Sequence, residues 1–564
     1  MSPAIDSALN LWRLLRNAYV RFLRRPADYV WIEVSGPLPE FESRAGFLQR
    51  RLSPGPTGPS LERIREQIDR ISADGRTRGV VLRIRNLGAG WAALEELRRS
   101  LAAFRERGGR VVAYLMEANS RSYYLACAAD EILATPLTTI DVIGLRARVN
   151  FLRDALNRVG LEAEVVAVSP YKSAGEPFVR SDFSEESREQ AERLLDRRYE
   201  ELVGAIAEGR KITREETRAR IDSAPYSAPE AITQGLLDEA CYEDELPGRL
   251  GVESGRARLA EWDAARKSLR TPYRRSLRRR VGLVSLSGAI VRGKNRRVPV
   301  PLPIVGSEQA GSESVVAALR LAERNRRVAA ILFHVESPGG DALASDLIWR
   351  EVERIRAKKP VVVLMGDVAA SGGYYVSAAA NHVVARRNTI TGSIGVLSIR
   401  PVAENLYERL GVNSVALERG ARAGLLDFSR HPTPDELEVL KGQIGFIYDE
   451  FKDRVLRGRN VGASDLEGIA AGRVWTGAEA RGLGLADEIG GFTEALAKAR
   501  ELGKIEQDVP GALLKISPPR RGRPAPADPA EAAREIVAGM KQAISELLAS
   551  RVWAVAPYEI SEDW

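Results

Sequence analysis

Gly366-Asp367-Val368-Ala369-Ala370-Ser371-Gly372-Gly373-Tyr374-Tyr375 follows the apolar run Val361-Val362-Val363-Leu364-Met365. A β-branched apolar run, a turn of small residues and a helical pattern read as strand, turn, helix. The turn exposes Ser371 at a strand end, as a nucleophile requires. Glu336-Ser337-Pro338-Gly339-Gly340 is a second glycine turn after a second apolar run. Two such turns in adjacent βα units can aim backbone N–H groups at one developing oxyanion.

Working outward, the chain repeats itself with an offset of 251 residues. Val80-Val81-Leu82-Arg83-Ile84 falls over Ile331-Leu332-Phe333-His334-Val335, Ser120 with Tyr123-Tyr124 over Ser371 with Tyr374-Tyr375, and Gly144 over Gly395. Each copy alternates short apolar runs with helical patterns, which predicts an α/β fold of parallel βαβ units, present as a tandem duplication. Late helices are expected over Ser187–Glu208 and Asp435–Leu456. The expected organisation is a basic amphipathic helix over 1–28, an N-terminal repeat over 29–250 and a basic linker over 251–280. A C-terminal repeat over 281–505 and a Pro/Arg-rich linker with a helix over 506–564 follow.

The copies have diverged in complementary ways. Gly372-Gly373 follows Ser371, whereas Arg121-Ser122 follows Ser120, and Gly88-Ala89 stands where the other copy has Gly339-Gly340. Glycine lets a backbone approach a ligand closely, so Ser120 reads as a vestige. A serine hydroxyl needs a base. His334 falls inside a strand, His382 beyond the helix and His431 in a surface loop, so a Ser-His-Asp arrangement fits poorly. The remaining common base is lysine. Lys172, in Ser169-Pro170-Tyr171-Lys172-Ser173-Ala174, has Ala423 as its equivalent in the second copy. One copy keeps the serine and the other the lysine, so the economical reading is one composite Ser/Lys site. The amine, with a free pKa of about 10.4, must then be brought down towards neutrality, and burial supplies that by disfavouring the ammonium.

The 564 residues carry a formal net charge of +8 and 44% hydrophobic residues, enough for more than one globular domain. The cysteines Cys127 and Cys241 make no disulfide framework, and the histidines lack metal-ligand spacing, so no metal and no cofactor are expected. Much of the positive excess sits in the first 25 residues and in the run Arg274–Arg280. No stretch is long and apolar enough to span a bilayer, and no signal-peptide cleavage site is visible. Ile5, Leu9, Trp12, Leu15, Tyr19, Phe22 and Leu23 recur at helical spacing with arginines on the flanks, the pattern of an interfacial helix. Ile536, Met540, Ala543, Leu547 and Val552 suggest another helix near the far end.

Tyr171-Lys172-Ser173-Ala174 with Glu176-Pro177-Phe178, Ser337-Pro338-Gly339-Gly340, Ala370-Ser371-Gly372-Gly373-Tyr374-Tyr375 and Thr391-Gly392-Ser393-Ile394-Gly395-Val396 together resemble the long, two-domain form of the signal peptide peptidase A (protease IV) family. The resemblance runs from about Val30 to Gly503. It implies a Clp protease/crotonase-like fold and a serine endopeptidase with Ser371 as nucleophile, Lys172 as general base and Ser393 orienting the amine. The backbone N–H groups of Gly372, Gly339 and Gly340 would form the oxyanion hole. It further implies hydrophobic peptide substrates such as cleaved signal peptides, a homo-oligomer (a tetramer) and a place at the bacterial inner membrane. The membrane contact expected here is the N-terminal helix, and nucleic acid is not an expected partner. A crotonase-like acyl-CoA enzyme and a non-catalytic peptide- or membrane-binding scaffold are the rival readings. Whether Lys172 meets Ser371 within one chain or from a neighbour is open at this level.

Overall fold

Strands form where the β-branched runs lie, in both halves of the chain. The computed structural model describes residues 3–42, 58–251, 255–273, 278–302, 306–507, 513–517 and 552–555, and the chain divides into two compact units.

The first unit comprises Met1–Arg146 and Leu195–Leu277. Its parallel sheet runs in the order Leu259–Glu261, Tyr29–Gly36, Gly79–Leu87, Arg110–Leu115, Glu131–Ala134, Glu239–Ala240. Val80, Leu82 and Ile84 pack into one core, while Val81, Val112 and Tyr114 pack into another on the opposite face. Burial on both faces is why these strands read as unbroken apolar runs rather than alternating ones. The N-terminal helix Pro3–Leu23 belongs to this unit. It presents its polar face to the protein. Arg16 donates to the Leu269 carbonyl at 3.0 Å and to Thr271 Oγ1 at 2.6 Å, Arg13 donates to the Pro272 carbonyl at 2.7 Å, and Asn17 exchanges hydrogen bonds with the Thr271 backbone. Trp12, Leu15, Phe22 and Leu23 are left exposed.

The second unit comprises Ala147–Leu194, Arg278–Asp508 and Ala512–Trp564. Its strands are β1 (Glu162–Ala167), β2 (Arg280–Ser287), β3 (Ala289–Val291), β4 (Val328–Ser337), β5 (Gly339–Asp341), β6 (Val361–Ala370), β7 (Ile390–Gly392), β8 (Leu397–Val402), β9 (Val474–Thr476), β10 (Leu513–Lys515) and β11 (Trp553–Val555). The central sheet runs β9-β7-β6-β4-β2-β10, parallel except where β9 joins antiparallel. A second sheet contains β3-β5-β11-β8-β1. Helices α1 (Ala342–Arg356), α2 (Gly372–Ala378) and α3 (Pro434–Gly458) pack on this frame. The core of Val284, Phe333, Val363, Tyr374 and Phe451 is continuous across them.

The duplication is visible in detail. Tyr123 OH donates to the Leu236 carbonyl at 2.6 Å, and Tyr374 OH to the Leu485 carbonyl at 3.1 Å. The expected late helices are present as Glu185–Arg210 and α3.

The compact units do not follow the repeat boundaries. Residues 147–194, assigned by sequence to a 29–250 repeat, pack with the second unit. The reason is β1, which pairs antiparallel with β8 over six residues, Ala167 opposite Leu397 through Glu162 opposite Val402. The 251–280 segment is more than a linker. Leu259–Glu261 adds a strand beside Tyr29–Trp31, and Trp262–Ser268 is helical. Val552 itself is not helical and leads directly into β11. The helix expected over Ile536–Leu547 and the linker at 518–526 lie outside the described residues.

Candidate active site

Ser371 stands between β6 and α2 with φ 54° and ψ −114°, a backbone conformation that costs of order 1–3 kcal/mol and persists only where the surroundings impose it. Several bonds impose it. Ser371 N–H donates to the Gly392 carbonyl at 2.7 Å, and Tyr375 N–H closes on the Ser371 carbonyl at 2.7 Å. Upstream, the buried Glu336 carboxylate accepts from the Asp367 and Val368 amides at 2.7 and 3.1 Å. Burial, with Asp367 beside it, pushes the Glu336 carboxyl up to about 8. This clasp sits where the β4–β6 register shifts.

The glycines after Ser371 are required by close approach. A Cβ on Gly372 would stand 3.1 Å from Gly340 N and 2.6 Å from Ser345 Oγ, and one on Gly373 would stand 2.7 Å from the Ser337 carbonyl. The glycine turn of β5 and the start of α2 therefore touch backbone to backbone. Within that turn Gly339 N–H donates to Ser337 Oγ at 3.1 Å. The amide of Gly339 thus shapes the turn instead of sharing in the expected oxyanion hole, which leaves Gly340 beside Gly372.

Lys172 reaches Ser371 within one chain. Its Nζ lies 2.7 Å from Ser371 Oγ, 2.9 Å from Ser393 Oγ and 3.0 Å from the Ser393 carbonyl oxygen. All three side chains are buried, Lys172 at 2% exposure and both serines at 0%. Burial alone pushes the amine well below its ordinary value of 10.5, with no charged neighbour contributing. A neutral amine offers two N–H donors and one lone pair. The Ser393 carbonyl and hydroxyl take the two donors, and the lone pair is left for the Ser371 hydroxyl proton.

A turn absent from the sequence reading encloses the amine. Gly472, at φ +80°, lies so close that a Cβ there would be 2.6 Å from Lys172 N and 2.8 Å from its Cα and Cβ. Ser393 N–H donates to the Arg473 carbonyl at 2.7 Å, Gly472 N–H to the Ile394 carbonyl at 2.8 Å, and Ser169 Oγ bonds the Ala471 carbonyl. Ala470-Ala471-Gly472-Arg473 gives no sign of this in sequence, apart from a glycine whose use only a close approach explains.

The corresponding turn of the first unit is bonded differently. Ser120 Oγ donates to the Gly144 carbonyl at 2.7 Å, and the Asn119 side chain caps the following helix by accepting from Ser122 N–H at 2.9 Å. The amide corresponding to that of Gly373 is thereby occupied, and Arg121 and Ser122 carry side chains where the second unit has room for none.

The fold and the Ser371–Lys172 pair define a serine peptidase of the α/β class. Comparison with known proteins is specific. The profile of Peptidase family S49 matches residues 103–254 and 353–506, and that of Clp protease matches 295–393. The chain is 34% identical to the chloroplastic serine protease SPPA of Arabidopsis thaliana, over 83% of this chain and 69% of that one. It is 30% identical to Protease 4 of Haemophilus influenzae (78% and 72% covered) and 29% identical to Protease 4 of Salmonella typhi (84% and 78%). The chain belongs to Peptidase family S49.

Proposed function

We propose that the chain is an endopeptidase that cleaves hydrophobic peptides, cleaved signal peptides among them, at a membrane surface, with Ser371 as nucleophile and Lys172 as general base. The observation that carries this reading is the 2.7 Å approach of a fully buried lysine amine to Ser371 Oγ. Ser371 Oγ attacks the peptide carbonyl carbon as its proton passes to Lys172 Nζ. The carbonyl oxygen becomes an oxyanion facing the amides of Gly372 and Gly340. Collapse breaks the C–N bond, and Lys172 returns the proton to the leaving amine. Water, deprotonated by the same amine, then attacks the acyl carbon; the C–Oγ bond breaks, Lys172 returns the proton to Ser371 Oγ, and the acid is released. Ser393 holds the amine in line through both of its oxygens.

The test is Ser371→Ala. Fluorophosphonate labelling is expected to vanish and turnover of a synthetic signal peptide to fall to background, with an unchanged circular dichroism spectrum. Retained turnover would reject the nucleophile.

Membrane contact is supported by the helix Pro3–Leu23. Among the described residues no helix is long and apolar enough to cross a bilayer. This helix spends Arg13, Arg16 and Asn17 on the protein and leaves Leu11, Trp12, Leu15, Phe22 and Leu23 between 59% and 78% exposed, with Arg21 stacked over the Phe22 ring. That is the arrangement of an interfacial anchor, whose apolar face enters the headgroup–acyl boundary. Deleting residues 1–28 should abolish co-flotation with liposomes, and undiminished flotation would reject the anchor. Assembly as a homotetramer is proposed on exposed apolar side chains of the second unit, Val415 at 86% and Leu417 at 91%. Light scattering at the 61.8 kDa of one chain would reject it.

A further inference from the structure

Helix α3 reaches both halves of the Ser/Lys pair. On the nucleophile's side, the Phe451 ring lies 4.5 Å from that of Tyr375, and Tyr375 N–H closes on the Ser371 carbonyl at 2.7 Å. On the base's side, Tyr448 OH accepts from Ala471 N–H at 2.9 Å. Tyr448 and Phe451 are three residues apart, so they share one face of the helix. That face is anchored, because Ile444, Phe451 and Val455 are buried in the core of the second unit.

Tyr448 is 7% exposed. Its own proton goes to Glu467 Oε1 at 3.0 Å, which leaves the oxygen's lone pairs for the Ala471 amide. Ala471 depends on such bonds. It is a non-glycine residue at φ 51°, a conformation kept only where the surroundings impose it. Other bonds on the turn come from segments that carry the site itself. Ser169 Oγ bonds the Ala471 carbonyl, Gly472 N–H donates to the Ile394 carbonyl and Ser393 N–H to the Arg473 carbonyl. These bonds move with Lys172 and Ser393, whereas Tyr448 refers the turn to α3. Gln190 adds a tie at the flank, its Oε1 accepting from Val474 N–H at 2.8 Å.

We propose that Tyr448 is a positioning residue: through its hydroxyl, α3 holds the 470–473 turn that encloses Lys172 and so sets the reach from Lys172 Nζ to Ser371 Oγ. This rests on the peptidase reading above. The hydroxyl takes no part in proton transfer and acts through the turn. Gly472 passes any displacement on, since it stands against the Lys172 backbone too closely for a Cβ.

The experiment compares Tyr448→Phe with wild type in the full chain, with Tyr123→Phe as a matched control. Tyr123 is likewise buried and donates to the Leu236 carbonyl at 2.6 Å, so its substitution removes a buried hydroxyl bond from the other unit. Tyr448→Phe is expected to lower kcat for a quenched hydrophobic peptide about ten- to a hundredfold with KM unchanged, the scale that a misplacement of up to about 1 Å produces. The alkaline-rising limb of kcat/KM is expected to move up towards 10.5 as the loosened turn admits water to the amine, and no charged neighbour of Lys172 competes as a cause. Tyr123→Phe is expected to keep both. An unchanged kcat or limb in Tyr448→Phe, or an equal loss in Tyr123→Phe, overturns the proposal. Hydrogen exchange read by mass spectrometry in the Ser371→Ala background needs no turnover. There the 469–475 segment is expected to exchange about tenfold faster with Tyr448→Phe while 361–365 is unchanged, and equal exchange overturns the proposal. If wild type does not cleave, the peptidase reading fails, and the exchange still decides whether the hydroxyl holds the turn.

Discussion

Lys172→Met lowers kcat for a hydrophobic peptide by at least about 10⁴-fold, the scale seen when a nucleophile loses its base, and yet yields a protein more stable at neutral pH. Methionine fills nearly the same volume without an amine. The activity loss follows because Lys172 is the base bonded to Ser371 among the described residues, and Ser393 then has nothing to orient. The stability gain follows from linkage. Burial holds the folded-state pKa of Lys172 well below 10.5, so below the unfolded value the proton is bound more tightly by the unfolded chain and folding is penalised. This penalty is absent above the unfolded value, grows as pH falls below it, and levels off only below the folded pKa. The variant's advantage in denaturant midpoint should accordingly shrink as pH approaches 10.5. The same property sets the pH–rate profile. With a substrate that does not titrate, kcat/KM rises with pH as the amine loses its proton, and the limb lies well below 10.5. A limb at the ordinary lysine value, or a destabilised Lys172→Met, would show that the amine is not dry.

Gly472→Val is expected to cost both activity and stability. The position has a left-handed φ of +80°, and a Cβ there meets the Lys172 backbone at 2.6–2.8 Å. Backbone is not a yielding neighbour, so either the 470–473 turn or Lys172 must move. A β-branched residue forced into this conformation against a fixed neighbour loses about 2–4 kcal/mol of stability. A shift of the amine of about 1 Å costs roughly 10²-fold in rate. Thermal melting and kcat on the same preparation check both. Gly472→Ala should lie between wild type and Val, and a fully active valine variant would mean that the turn does not place the base.

Much of this site is legible in the chain because its logic is local. Ser371 between an apolar run and Gly372-Gly373, and the glycine turn at Gly339-Gly340, announce themselves by residue type. Lys172 is legible for a different reason, since the two copies lost opposite halves of the machinery. Ser393 came through resemblance alone, and its two oxygens beside Nζ give it a physical role. The N-terminal helix was correctly read as amphipathic, but the sequence could not say which face meets protein. Arg13 and Arg16 bond to carbonyls within residues 266–272, which are some 250 residues away in the chain.

Periodicity and turn chemistry alone determined two parallel α/β repeats, and divergence between the copies pointed to a serine in one and a lysine in the other. Tertiary structure decided the rest. The antiparallel ladder between β1 and β8 carries the lysine out of its own repeat and into the other unit. Gly472 and Ser393 close over it, and β11 enters beside the glycine turn. These are pairings between segments distant in sequence. Backbone hydrogen bonds make them with little regard to side-chain identity, so the residues involved bear no mark of their partners until the chain has folded.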